Sequence, residues 1–245
     1  MIVQDLLTYY KLSVNSKRVR RIMLKLGIKG IIPKRNLSKN KKPVYKYPYL
    51  LKNLMISRAN MVWAIDITYL KLPSGYMYLI AIIDVYSRCI LSYEISNGLE
   101  TEPCVRCLER CIARYGPPAI MNSDQGCQFT SHEWSNTLKK HEIQISMDGK
   151  GRWADNVIIE RFWRTIKYCS IFMFGLETVK ELKSEVKRFV KYYNERRLHS
   201  ALKYQAPMLV YQDSIAANDT GYVMLICDIK THQLKLEQDK LKYAA

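Results

Sequence analysis

Met61-Val-Trp-Ala-Ile-Asp-Ile-Thr-Tyr-Leu-Lys-Leu-Pro-Ser-Gly-Tyr-Met-Tyr-Leu-Ile-Ala-Ile-Ile-Asp-Val85 is the stretch on which the architecture turns. It holds two apolar runs rich in β-branched and aromatic residues, Val62 to Leu70 and Tyr76 to Val85, parted by Pro73-Ser-Gly75. A third run, Cys89 to Ile95, follows the turn residues Tyr86-Ser-Arg88. Runs of this length and composition between turn signals predict an antiparallel meander of three strands. Asp66 stands out inside the first run, because aspartate is disfavoured within a strand and a carboxylate is seldom buried unless paired.

Working outward toward the C-terminus, the pattern predicts a helix from about Glu102 to Tyr115, ended by Gly116-Pro-Pro118. A strand (Ala119 to Asn122), a helix (Ser131 to His141) and a strand (Ile143 to Met147) come next. The glycine-punctuated basic loop Gly149-Lys-Gly-Arg-Trp then leads into a helix bearing Glu160, and a long amphipathic helix spans about Glu177 to Arg196. This order predicts an α/β fold, a mixed β-sheet of about five strands flanked by helices. On the Glu160 helix, Asn156, Glu160, Arg164 and Lys167 fall on one stripe, with Ile159, Phe162, Trp163 and Ile166 around the other side. Asp124 comes just after the strand 119–122, past Ser123, where Asp-Gln-Gly is equally turn chemistry. Three acids on or beside apolar elements are thus candidates for one site, although a chain with 22 acids contains many such triples.

Charge narrows the class of partner. Lysine and arginine total 39 against 22 acids, a formal net charge of +17 over 245 residues. That excess favours a polyanion, nucleic acid before an anionic membrane surface. No apolar run approaches the roughly 20 residues of a membrane span, and the start Met1-Ile-Val-Gln-Asp lacks the pattern of a secretory signal, so a cytoplasmic location is expected. The seven cysteines form no disulfide framework. Cys104, Cys107 and Cys111 suit one buried helix face better than a metal site, since no fourth ligand follows at finger spacing.

Four segments are expected: 1–30, a small basic helical region; 31–60, a basic linker rich in proline, tyrosine and lysine; 61–212, the core; and 213–245, a tail of unassigned role. Within the first, Asn15 or Ser16 caps a helix that stops at Gly27. Val19, Ile22, Met23 and Leu26 form its expected buried stripe, and Lys17, Arg18, Arg20 and Arg21 its basic side, which suits either DNA or plain solvation. Val3 to Tyr10 is a short candidate for a partner helix. In the tail, residues 221–227 could form a strand and 233–243 a helix.

Trp63-Ala-Ile-Asp-Ile-Thr-Tyr, Ser123-Asp-Gln-Gly-Cys-Gln-Phe-Thr-Ser and Asp155-Asn-Val-Ile-Ile-Glu-Arg-Phe-Trp-Arg-Thr-Ile-Lys, followed by Tyr193-Asn-Glu-Arg-Arg-Leu-His-Ser-Ala-Leu, resemble the DDE-type transposases of bacterial insertion sequences, OrfB group, whose core is like that of retroviral integrases. Between Asp124 and Glu160 lie 35 residues, the family's gap, and Lys167 follows the glutamate by seven. The resemblance covers Val14 to Tyr211. Cys169 and Leu198 depart from it, standing where relatives often carry glutamate and proline.

The resemblance implies a ribonuclease-H-like fold in which Asp66, Asp124 and Glu160 are catalytic and hold two Mg2+ ions, with Mn2+ as a substitute. It further implies cleavage at the element ends to free a 3′ hydroxyl, then strand transfer into DNA. Lys150, Arg152, Asn156, Arg164 and Lys167 would hold DNA, joined by Lys17, Arg18, Arg20 and Arg21. Gln125, Gly126 and Phe129 would shape the turn after Asp124. Expected partners are terminal-repeat and target DNA, further copies of the chain, and a helix-turn-helix protein from an upstream reading frame. A DNA-binding remnant without chemistry, and a nuclease that cuts without joining, are the alternatives.

Overall fold

The computed structural model describes residues 2–28, 47–148 and 156–217. Two helices, α1 (Ile2–Tyr10) and α2 (Ser16–Lys25), precede strands β1 (Val62–Leu72), β2 (Gly75–Asp84) and β3 (Ile90–Ser96). Then follow α3 (Thr101–Tyr115), β4 (Ile120–Ser123), α4 (His132–Lys140), β5 (Gln144–Met147), α5 (Val157–Cys169), α6 (Val179–Glu195) and α7 (Pro207–Ala216). The sheet order is β3-β2-β1-β4-β5, antiparallel across the first three strands and parallel from β1 through β4 to β5. The expected mixed sheet of five strands is therefore present.

The register follows from turn chemistry. Leu72 pairs with Gly75, leaving Pro73 and Ser74 as a two-residue hairpin loop, and Gly75 takes φ +136°, a conformation side chains resist. At the far end Asp84 is buried and accepts hydrogen bonds from the Ser87 backbone N–H (2.7 Å), the Ser87 hydroxyl (2.6 Å) and the Asn60 backbone N–H (2.9 Å). Burial still holds its carboxyl above the usual range, with those bonds pulling the other way.

Because successive strand residues point to opposite faces, β1 feeds two cores. Val62 and Ala64 pack on the side of α5 and α6, with Ile159, Phe162, Trp163, Leu182, Val186 and Phe189. Trp63 and Ile65 pack on the side of α3 and α4, with Leu108, Trp134 and Leu138. Cys104, Cys107 and Cys111 lie in this second core, and burial pushes the Cys107 thiol up to about 11. They are the buried helix face expected, and among the described residues no metal cluster forms around them. Asn194 of α6 ties the layer to the sheet edge, accepting from the Ile90 N–H and donating to the Ile90 carbonyl, both at 2.9 Å.

Two readings of the sequence are corrected. Asn15 does cap α2, accepting from the Lys17 N–H at 2.8 Å, but Ile22 and Leu26 are exposed and no α2 residue is buried. Periodicity marks an apolar stripe without supplying the layer that covers it; among the described residues α2 meets chiefly the short helix α1. The stretch expected to end a linker is, from residue 47, packed chain: Leu50 is buried, its N–H donates to Ser146 Oγ at 3.0 Å, and Leu51, Leu54 and Ile56 pack on the first core. Helix α7 was not expected. It runs across the supposed boundary at residue 212 and anchors the entry to β1, with Ser214 Oγ accepting from the Ala59 N–H (2.9 Å) and the Tyr211 hydroxyl donating to Asn60 Oδ1 (3.0 Å). The supposed strand at 221–227 and helix at 233–243, and the linker up to residue 46, lie outside the described residues.

Candidate active site

Asp66 shares the parity of Val62 and Ala64, so its side chain leaves the sheet on the face where α5 packs. Trp163 of α5 meets it there, the indole N–H donating to Asp66 Oδ2 at 2.8 Å, and the Ile67 N–H donates to Oδ1 at 2.8 Å. Glu160 stands one helical turn before Trp163 and is exposed. Asp124 follows β4, the parallel neighbour of β1, which carries it to the same end of the sheet. Asp124 Oδ1 accepts from the Gly126 N–H at 2.9 Å, while Gln125 Nε2 donates to the Asp148 carbonyl at 2.8 Å and closes the turn against the end of β5. Phe129 anchors the loop, buried with its ring 5.4 Å from that of Trp134.

The electrostatics show that the three acids share a field. Asp66 is pushed up to about 7, first by burial, then by the charge of Asp124, with a smaller push from Glu160; the Trp163 and Ile67 bonds oppose this. Asp124 and Glu160 are also raised, each by burial, and the Gly126 N–H counters the shift at Asp124. The mutual repulsion falls on Asp66 because Asp124 ionises first, facing a neutral partner. Asp124 is open to solvent on one side, which fits its smaller shift.

A hard divalent cation suits this set, because all the donors are carboxylate oxygens and none of the three forms an ion pair among the described residues. As the side chains stand, however, no three of His, Cys, Asp and Glu among the described residues converge on one point close enough to ligate a single ion. Trp163 holds one oxygen of Asp66, and Glu160 is turned to solvent. The donor chemistry fits, with Asp66 carried by β1, Asp124 by the turn after β4 and Glu160 by α5.

The other expected residues are dispersed. Lys167 lies on the Asp66 flank of α5, half-buried with Nζ 4.7 Å from the Tyr69 ring centre; burial lowers its pKa and the Asp66 charge raises it. Arg164 is exposed, and so are Lys17, Arg18, Arg20 and Arg21 on the separate helix α2. Asn156 is buried at the start of α5, and its Oδ1 has no hydrogen-bond partner among the described residues. Lys150 and Arg152 lie outside the described residues. Sequence reasoning missed Trp163 as a partner of Asp66, because the helical pattern places it on the apolar side; its i+3 spacing from Glu160 was the available signal.

Two models of the integrase core domain match the chain, over residues 56–152 and 141–207. The transposase for insertion sequence element IS904 of Lactococcus lactis is 34% identical over 199 residues, covering 79% of this chain and 79% of that protein. The chain belongs to the transposases of bacterial insertion sequences. An uncharacterized transposase-like protein of Haemophilus influenzae is 30% identical over 203 residues, covering 80% of this transposase and 93% of its own length. Among solved structures, the HTLV-2 integrase catalytic core domain in complex with magnesium superposes with a TM-score of 0.51 at 18% identity, covering 63% of this chain and 97% of that one. A chain of the simian T-cell lymphotropic virus intasome in complex with PP2A regulatory subunit B56 gamma gives 0.56 at 15% identity, over 84% of this chain and 73% of that one. The transposase therefore has the ribonuclease-H-like fold of retroviral integrase cores and acts on DNA.

Proposed function

We propose that this transposase cuts the ends of its insertion element and joins the freed 3′ hydroxyl to target DNA at Asp66, Asp124 and Glu160, which hold two Mg2+ ions, Mn2+ being an adequate substitute. The observation that carries this reading is a buried strand carboxylate, Asp66, held by the Trp163 indole of the helix that bears Glu160; burial first, then the charge of Asp124 and more weakly that of Glu160, raise its pKa, and a cation would relieve that cost. A bound pair of divalent ions supplies Lewis-acid stabilisation of the phosphate's developing charge and eases deprotonation of the attacking oxygen. Asp66, from the rigid centre of the sheet, fixes the position of the site; Trp163 aims its carboxylate. Asp124, on a short turn, and Glu160, on an exposed helix face, complete the donor set. In the first step water attacks phosphorus and the departing 3′ oxygen takes up a proton. In the second that 3′ hydroxyl attacks a target phosphodiester, losing its proton as the target strand's own 3′ oxygen leaves.

Lys167, beside Asp66, places a cation next to the scissile strand, with Arg164 further along the helix. Lys150, Arg152 and Asn156 are proposed to meet the DNA end, and Lys17, Arg18, Arg20 and Arg21 to contact DNA from α2. Action as a multimer, cooperation with an upstream helix-turn-helix protein and residence in the cytoplasm complete the proposal. Consistent with the last, no described helix is long and apolar enough to cross a membrane. Labelled element ends incubated with the protein and Mg2+ test the reading: Asp66→Asn, Asp124→Asn and Glu160→Gln should each abolish cutting and joining. Undiminished cutting by any one of them overturns the assignment, and cutting without joining by the parent points to a simple nuclease.

A further inference from the structure

Glu160 sits on a ridge of α5. One flank, Trp163 and Lys167, faces Asp66; the other, with Arg161 and Arg164, borders a separate cleft of about 490 Å3 whose remaining walls include Arg88, Tyr193, Arg197 and His199. Four guanidinium groups thus meet in one cleft, and none of them forms an ion pair with a carboxylate among the described residues. Two of its polar atoms, Arg88 Nη1 and His199 Nε2, are buried with no hydrogen-bond partner among the described residues. Burial depresses the pKa of Arg88, the Arg161 charge adding to the effect, with Tyr193 and the buried Asp84 opposing it. His199 is pushed down to about 4 by burial and by Arg197 and Arg88, so it is neutral at physiological pH and its Nε2 can accept or donate.

A buried guanidinium N–H without an acceptor is destabilising, and an anion at that point removes the cost. Planar forks from several directions match the oxygens of a phosphate. The cleft also lies where a DNA strand would pass: Arg164 is four residues beyond Glu160, about 6 Å of helix rise, the axial length of roughly two nucleotides of one strand.

We infer that this cleft seats a backbone phosphate of the DNA beside the reacting phosphodiester, gripped by Arg88, Arg161 and Arg197 with His199 at its floor. The assignment rests on the reading of the protein as a transposase whose scissile strand lies at Glu160. It gives Arg197 of the Tyr193-to-Leu202 string a role separate from catalysis, which is to hold register along the strand.

The test is anisotropy titration of labelled end DNA with the full chain in chelator, from 50 to 200 mM salt. The Arg161→Gln/Arg197→Gln variant should lower the log–log salt slope by about 0.9 for each phosphate released, so the affinity lost across that range shrinks by about 3.5-fold per phosphate. Lys180→Gln/Lys183→Gln, an equal charge loss on the exposed face of α6, should leave the slope unchanged, and Arg161→Lys alone should retain it. Unfolding midpoints of all variants are measured in parallel; should the double variant unfold, Arg161→Gln alone, at an exposed position, decides. An unchanged slope, or an equal change in the α6 control, overturns the inference. So does saturable binding of inorganic phosphate that leaves DNA affinity untouched, which would assign the cleft to a free anion. Strand transfer by the parent with Mg2+ is scored separately: a slope change without transfer sinks the transposase reading and spares the cleft, whereas transfer with no slope change sinks the cleft alone.

Discussion

Replacing Asp66 with asparagine should stabilise the metal-free fold at neutral pH while abolishing the reaction. The carboxyl titrates at about 7 in the folded protein against 3.8 for an unperturbed aspartate. Below pH 4 it is protonated in both states and contributes nothing to the difference. Between the two values the folded state retains a proton that the unfolded state has lost, so stability falls as pH rises and the deficit is complete above pH 7. A shift of about three units corresponds to roughly 4 kcal/mol. Asparagine removes that deficit but offers one acceptor oxygen where the carboxylate gave two, so one of the bonds from Trp163 and Ile67 is lost, at about 1–1.5 kcal/mol. The net expectation is a gain of roughly 2–3 kcal/mol at pH 8 that reaches zero near pH 5 and becomes a loss of about 1–1.5 kcal/mol below pH 4, where only the missing hydrogen bond counts. Urea unfolding in chelator at several pH values measures it, and saturating Mg2+ should narrow the gap by stabilising the parent alone. An asparagine variant no more stable than the parent at pH 8 would show that Asp66 is not held against ionisation, and the argument for a cation-seeking site would fail.

Three further outcomes follow from single contacts. Trp163→Phe keeps the ring in the core but removes the 2.8 Å donor to Asp66; the apo titration of that carboxyl, followed by NMR, should move upward, and the acid limb of activity should move with it. Gly126→Ala places a Cβ 2.9 Å from Asp124 Oδ1, so the carboxylate must swing away; strand transfer should fall at least tenfold while the unfolding midpoint barely changes. Asn194→Ala strips both bonds between α6 and the buried backbone of Ile90, and chemical denaturation should report a loss of about 2–3 kcal/mol.

The meander and the alternation of strands and helices were legible in the chain because each rests on a local signal, turn residues and period, and Asp66 stood out as a candidate because apolar neighbours make a carboxylate costly there. Residues 62–85 determined by themselves that Val62 and Ala64 face opposite to Trp63 and Ile65, since strand geometry allows nothing else. What faces those residues is a different matter. That α5 rather than α3 covers the Asp66 side, that Trp163 turns from core filler into hydrogen-bond donor, and that Arg88 and Arg197, 109 positions apart in sequence, line one cleft depend on how layers stack. Local periodicity carries no information on that, because an apolar stripe is satisfied by any complementary stripe. The same reason explains the stripe on α2 and the packed segment from residue 47: side-chain pattern fixes which face seeks burial, and only the assembled chain decides whether and by what it is covered.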